Sequence, residues 1–308
     1  MAVEQTQSTE LVYLNGEYLP RERACVSVFD RGFLFADGVY EVVPVYGGRP
    51  FHLSAHLARL QRSMKAIRLD NPLDDIGWVN AIRGLLDRNG ARERDLSLYL
   101  QVTRGVSQRP RDHAFPDDAR PTVLMALTPL AEVDPALLER GVGAVVMDDI
   151  RWARCDIKSI ALLGNVLLRN AAREKGAYEA LLVRDGRLTE GAASNVFVVQ
   201  SGELLTPPTG PELLGGITRD VILSIARQAG ISTRETRVPA TLLKQVDEIW
   251  ITSSTKGVLP VTTLDGRPVG DGRPGEMWAR VHRLYLEAIE RIRQRPRPDD
   301  TLHGGGSA

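Results

Sequence analysis

Arg151-Trp-Ala-Arg-Cys-Asp-Ile-Lys158-Ser-Ile-Ala-Leu-Leu-Gly164 is the stretch on which the reading of this chain turns. Polar residues crowd its first half and apolar residues its second. The pattern predicts an irregular segment that gives way to a helix from about Ile160 to Lys175, with Lys158 at the opening. Lys158 stands between Ile157 and Ile160. Such a lysine either is partly desolvated, which favours the neutral nucleophilic amine, or snorkels from a helix start with its ammonium in water. Lysine is scarce here. Of 39 basic residues only five are lysines, at positions 65, 158, 175, 244 and 256. Arginine stays protonated and forms no Schiff base, so each retained lysine carries weight. Lys65 and Lys244 fall in amphipathic helical patterns, Lys175 precedes Gly176, and Lys256 sits in a loop beside Gly257.

Outward from this stretch, residues 11–50 alternate apolar and polar, with turn signals at Asn15-Gly16 and Gly47-Gly48, and read as antiparallel strands. Helices are predicted at His56–Ile67 and Trp78–Asn89, and strands at 96–102 and 122–128, an α+β pattern. Pro129–Pro135 is the expected boundary between a small domain, 1–130, and a larger one, 131–293. Beyond it come a strand at 142–147, the Lys158 helix, and a hairpin of Tyr178–Val183 with Ser194–Val199 turning at Asp185-Gly186. A helix at Arg219–Ala229, a short one near Leu242, a strand at 249–252 and a last helix at Met277–Arg293 follow. The second part thus mixes strands and helices in the α/β manner. Gln294–Ala308, rich in Pro, Arg and Gly, is expected to be a disordered tail.

Composition excludes several classes. Hydrophobic residues are 43% and charged residues 25% of 308, as in ordinary globular chains. Basic and acidic residues number 39 each, so no net charge favours nucleic acid or an anionic membrane. No apolar run approaches a membrane span. Met1–Glu10 is polar and acidic, unlike a signal peptide. Cys25 and Cys155 lack metal-ligand spacing and read as reduced thiols of a cytoplasmic protein; no metal site is expected.

Four further constellations invite chemistry. Glu190, in Thr189-Glu-Gly-Ala-Ala-Ser-Asn195, is either a solvated turn carboxylate or an ionised group that keeps a ring nitrogen protonated. Gly215-Gly-Ile217-Thr218-Arg-Asp220 is either a capped helix start or a phosphate cup of free N–H groups, and Thr252-Ser-Ser254-Thr255 adds hydroxyls or simply ends a strand. Arg59, on the helix face away from Leu57 and Leu60, is either exposed or pins a phosphate. Arg104-Gly-Val-Ser-Gln-Arg109-Pro-Arg111-Asp-His113 is either a solvated basic loop or a trap for a small carboxylate, with Tyr40 as a further hydroxyl. Together they describe pyridoxal phosphate acting on an amino acid: an amine nucleophile, a carboxylate for a pyridine nitrogen, a phosphate cup and a carboxylate trap.

At this point the chain resembles the fold type IV pyridoxal-phosphate aminotransferases, and within them the bacterial D-amino-acid aminotransferases. The runs that carry the resemblance are Asp30-Arg-Gly-Phe-Leu-Phe-Ala-Asp-Gly-Val-Tyr40-Glu-Val-Val, Gln101-Val-Thr-Arg-Gly and His113-Ala-Phe-Pro. Further on come Asp149-Ile-Arg-Trp-Ala-Arg-Cys-Asp-Ile-Lys158-Ser, Thr189-Glu-Gly, Ser194-Asn-Val-Phe and Gly216-Ile-Thr-Arg-Asp. The resemblance implies a two-domain fold with pyridoxal 5′-phosphate between the domains. It implies Lys158 as the Schiff-base lysine and proton shuttle, and Glu190 as partner of the pyridine nitrogen. Arg59, Ile217, Thr218 and Ser254 would hold the phosphate, and Tyr40, Arg111 and His113 the substrate α-carboxylate. The Arg–His loop would reach in from a second subunit, which implies a homodimer. The loop 105–113 is longer than in well-known members, so Arg111 rather than Arg109 follows from its spacing to His113. Ala193 replaces a common serine, and Lys256 replaces a hydroxyl, a change that would allow a second cation near the phosphate. The implied reaction moves an amino group from a D-amino acid such as D-alanine to a 2-oxo acid such as 2-oxoglutarate. Alternatives of the same fold are a branched-chain L-amino-acid or (R)-amine transaminase and an aminodeoxychorismate-type lyase. A non-catalytic anion-binding protein is the alternative of another class.

Overall fold

Two hairpin turns set the first sheet. Asn15 (φ 51°) and Gly16 (φ 99°) both take the left-handed conformation, the two-residue turn whose twist matches antiparallel strands. It joins β1 (Leu11–Leu14) to β2 (Glu17–Pro20). Gly47 and Gly48 do the same for β3 (Gly38–Tyr46) and β4 (Arg49–Pro50). With β5 (Leu96–Val106) and β6 (Arg120–Pro129) these form a six-stranded antiparallel sheet, order β2-β1-β6-β5-β3-β4. The computed structural model describes residues 10–109 and 111–294.

Three helices belong to this half: α1 (Arg31–Phe35), α2 (Leu53–Ala66) and α3 (Asp75–Arg88). Asp30 and Asp74 accept the N–H of Gly32 and Gly77 and so cap α1 and α3. Leu60 and Met64 of α2 and Trp78, Ile82 and Leu85 of α3 pack against Val43, Leu98 and Leu100 of the sheet. Each such side chain contributes about 1.5–3 kcal/mol on burial.

The second sheet has nine strands: β7 (Val142–Asp148), β8 (Glu179–Arg184), β9 (Arg187–Gly191), β10 (Asn195–Gln200), β11 (Glu203–Thr206), β12 (Thr233–Glu235), β13 (Glu248–Ser253), β14 (Gly257–Leu264) and β15 (Arg267–Pro268). Its order is β12-β11-β10-β13-β14-β7-β8-β9, with β15 on β14. Parallel pairs (β7 with β8 and β14, β11 with β12) lie among antiparallel ones. Strands alternate faces. Phe197, Val199 and Trp250 meet α6 (Ile217–Gln228) and α7 (Glu276–Arg293) through Ile222, Val281 and Tyr285. Val196, Val198, Ile249 and Ile251 turn to the other face. There α4 (Pro135–Arg140) and the 3-10 turn Ala240–Lys244 supply Leu137 and Leu243. α5 (Leu163–Glu174) rests Leu168 and Ala172 on Val145, Ala180 and Leu182. Tyr46 and Phe51 join the α6–α7 cluster, so the halves share a core.

Two expectations need correction. Asp185-Gly186 turns β8 into β9, not into the strand at 194–199, which pairs instead with β11 and β13. The helix after Lys158 begins at Leu163, not near Ile160. Val39 bridges Ser159, and the Ile160 N–H donates to the Gly38 carbonyl at 3.1 Å, which holds this stretch extended. Gln294 caps α7, and the rest of the expected tail, like most of Met1–Glu10, lies outside the described residues. Among the described residues no helix is long and apolar enough to cross a membrane. Cys25 is exposed and Cys155 buried, both free thiols.

Candidate active site

A cleft of about 820 Å³ opens between the two sheets, lined by Tyr40, Arg59, Lys158, Glu190, Ile217, Thr218 and Ser254 among others. Residues far apart in the chain meet because the Lys158 loop docks on the start of β3. The Tyr40 N–H donates to the Lys158 carbonyl at 3.0 Å, and the Lys158 N–H donates to Ser63 Oγ at 3.2 Å. Lys158 Nζ lies 4.2 Å from the centre of the Tyr40 ring. Burial, then the nearby Arg59 cation, push the amine down to about 8, against the pull of Glu41 and Glu190. Half of the amine is therefore neutral near pH 8, and about a tenth at pH 7. The Tyr40 hydroxyl moves up, through burial and then Glu41, and its ring stacks on Tyr99 at 5.9 Å.

Glu190 is buried on β9 rather than solvated in a turn. Its Oε2 accepts from Asn195 Nδ2 and from the Leu214 N–H, both at 3.1 Å, and its Oε1 meets Arg151 Nη1. Burial raises the carboxyl to about 7, while Arg151 and the Leu214 N–H pull it down. Arg151 also donates to Asp149 from Nε at 2.9 Å and from Nη2 at 2.8 Å. Asp149 further accepts from Thr189 Oγ1 at 3.0 Å and pairs with Arg184 at 3.1 Å. Burial raises the Asp149 carboxyl, but the Arg151 contacts outweigh it, and the net shift is down.

Arg59 is buried, so of the two readings the exposed helical arginine is set aside. Its Nε and Nη2 donate to the Glu41 carboxylate at 2.7 and 2.8 Å, and Nη1 donates to the Gly215 carbonyl at 2.9 Å. His56 Nδ1 lies 2.7 Å from Glu41 Oε2. Burial opposes the charge on Glu41, yet Arg59 and His56 hold its carboxyl down at about 2. Burial lowers His56. Sequence reasoning assigned no role to Glu41, His56, Asp149, Arg151 or Asn195. For Glu41 the available signal was a carboxylate next to Tyr40 in a strand, with His56 and Arg59 three apart on one helix.

The far end suits a phosphate. No side chain caps α6, so its first N–H groups lack partners within the helix. A Cβ at Gly216 would collide with Asn195. Thr252 lines the same cleft, and its buried hydroxyl has no partner, a polar atom that an anion here would satisfy. An amine, an acidic partner for a ring nitrogen and this cup together fit pyridoxal phosphate. Arg111 and His113 are exposed and do not line the cleft of their own chain; neither does Lys256, while Ala193 does.

The profile of amino-transferase class IV matches residues 38–264. D-alanine aminotransferase of Bacillus licheniformis is 40% identical over 278 residues, 90% of this chain and 96% of its own. That of Staphylococcus haemolyticus is 38% identical over 279 residues, 91% and 98% of the two chains. Among solved structures, the Escherichia coli branched-chain amino acid aminotransferase superposes with a TM-score of 0.85 at 27% identity, covering 91% of this chain and 94% of that one. A T.th. branched-chain amino acid aminotransferase, solved with pyridoxamine 5′-phosphate, gives 0.82 at 26% identity, covering 96% and 97%.

Proposed function

The chain belongs to the amino-transferase class IV family, and on that premise we propose that it transfers an amino group from D-amino acids such as D-alanine to 2-oxo acids such as 2-oxoglutarate, with pyridoxal 5′-phosphate as cofactor. The observation that carries the donor's configuration is 40% identity to a D-alanine aminotransferase across nine-tenths of the chain. It exceeds the 27% to the branched-chain structure. That second reading, transfer from branched-chain L-amino acids, keeps the structural neighbours as its support.

When bound, the cofactor supplies an electron sink for the electron pair released at the substrate α carbon. The residues of the chain do the rest. Lys158 would hold the cofactor through its amine and would give and take the substrate α-proton at Nζ, whose pKa near 8 suits both roles. Glu190, braced by Arg151 and Asn195, would hold the proton on the ring nitrogen. Ile217, Thr218, Ser254 and the Glu41-clamped Arg59 would hold the phosphate. Tyr40 helps orient the substrate carboxylate, with Arg111 and His113 contributed by the second subunit of a homodimer. Exposed Val28, Phe33 and Leu163, which do not line the cleft, are apolar side chains that such an interface would cover. The cytoplasm is the compartment this reading assigns.

The test is the visible spectrum of the cofactor-saturated protein before and after D-alanine alone. Loss of the yellow band, with one pyruvate per site, is expected. A yellow protein that ignores D-alanine and responds to L-leucine or a simple (R)-amine would move the assignment to those donors. Product release with no need for an oxo acid would move it to a lyase.

A further inference from the structure

We propose that Arg31 is a positioning residue for the substrate carboxylate: it holds the Arg111–His113 loop through that loop's backbone. The inference rests on the reading of Arg111 and His113 as carboxylate ligands. Both side chains are exposed on a segment between β5 and β6. The loop is closed at its base by Asp118, which accepts from Ser107 Oγ at 3.0 Å and from the Gln108 N–H at 2.9 Å. Its functional end is tied differently, by a cation from the interior. Arg31 is 3% exposed. Its Nη1 donates to the Asp112 carbonyl at 2.6 Å and its Nη2 to the His113 carbonyl at 3.3 Å.

That fork is itself fixed. Arg31 Nε donates to Asp37 Oδ2 at 2.8 Å. Asp37 is also gripped by Arg104, two further N–H groups of which go to the Ile67 and Arg68 carbonyls at 2.7 and 2.9 Å. The Phe35 ring lies 4.9 Å from the Arg31 guanidinium and meets the His113 ring edge-on at 5.1 Å. Asp37 precedes Gly38, the residue whose carbonyl accepts the Ile160 N–H beside Lys158. One anchor therefore ties the loop to the start of β3 in its own subunit, the frame from which Arg111 and His113 would reach the second subunit's site. Fixing two successive carbonyls fixes where the Arg111 and His113 side chains start, which lowers the ordering cost of closing on a carboxylate. A planar fork can serve Asp37 and two carbonyls at once; an ammonium cannot match that geometry.

The experiment compares holoenzyme variants R31K, R111A and R31K/R111A with D-alanine as donor. R31K should raise KM about tenfold, the worth of roughly one charge-assisted hydrogen bond, with kcat within about twofold and cofactor uptake unchanged. R111A should raise KM at least as much, and the double variant should raise it by less than the product of the two single effects, because Arg31 then acts through His113 alone. Such coupling is expected when one residue acts through the other, and a merely structural role would not produce it. An unchanged KM in R31K beside a raised KM in R111A overturns the proposal and leaves the carboxylate reading standing. Additive losses in the double variant also overturn it. An unchanged KM in R111A overturns the carboxylate reading itself. Should R31K fail to fold, Phe35→Leu, which removes the ring against His113 and keeps every ion pair, enters the same cycle with the same expected coupling.

Discussion

The backbone N–H of Tyr40 donates to the carbonyl of Lys158 at 3.0 Å, so the strand that carries Tyr40 and Glu41 and the loop that carries the amine share one register. The amine thereby comes to rest over the Tyr40 ring, close to Arg59, where burial and that cation lower its pKa to about 8.

Covalent capture of pyridoxal phosphate by the apoprotein should therefore follow the neutral fraction of Lys158. Its rate should rise with pH, reach half its plateau near 8 and level off above. A lysine at its ordinary value would keep rising toward 10.5. Stopped-flow absorbance across this range decides between them. Lys158→Ala should bind cofactor only non-covalently and show no turnover; activity near wild type would remove Lys158 from the mechanism.

Glu190→Gln keeps an oxygen for Asn195 and the Leu214 N–H but cannot carry the charge that holds a ring nitrogen protonated. Arg151 still has Asp149 as counter-ion, so the variant should fold. Turnover of the reconstituted variant should fall roughly a hundredfold or more, the scale of losing one preorganised electrostatic contact. Steady-state kcat measured beside the melting temperature checks this, and an unaltered kcat would mean the carboxylate is dispensable.

Glu41 links pH to stability. Its carboxyl falls from 4.5 to about 2 in the folded chain through Arg59 and His56. A depressed carboxylate pKa stabilises above the unfolded value and loses that stability as pH drops through the folded one. The contribution is about 3 kcal/mol, present in full above pH ~5 and lost between there and about 2. In Glu41→Gln apoprotein the denaturant midpoint should sit below wild type at neutral pH, with the gap narrowing as pH falls through this window. A gap constant with pH would show that the charge on Glu41 contributes nothing.

Local patterns made much of this architecture legible. Alternation in 38–46, 96–106 and 120–129 marks half-buried strands, and the glycine pairs mark their turns. What escaped depends on partners distant in the chain. Arg59 and Glu190 were legible as candidates, but not the Glu41 carboxylate that clamps the one or the Arg151 and Leu214 groups that close over the other. The apolar residues after Lys158 suggest immediate helix, but hydrogen bonds to β3 hold Ser159 and Ile160 extended first. α1, five residues long, is too short for a helical period to show. Lys158 itself was legible because the chain uses arginine almost everywhere else.

Gly216 gives the sharpest steric test of the phosphate end. It precedes the uncapped start of α6, and a Cβ there would run into the Asn195 side chain. Asn195 is not free to retreat, because its Nδ2 serves Glu190 at 3.1 Å and the Leu214 carbonyl at 2.8 Å. Gly216→Ala must therefore displace either the first turn of α6 or the amide that braces Glu190. Overpacking of this kind costs about 1–3 kcal/mol. If the strain falls on the helix start, the dissociation constant for pyridoxal phosphate should rise about tenfold while kcat at saturating cofactor holds. If it falls on Asn195, kcat should drop with affinity nearly kept. Titration of the apoprotein and kcat at saturation separate these outcomes, and a variant unaltered in both would show that the cofactor does not use this end of the cleft.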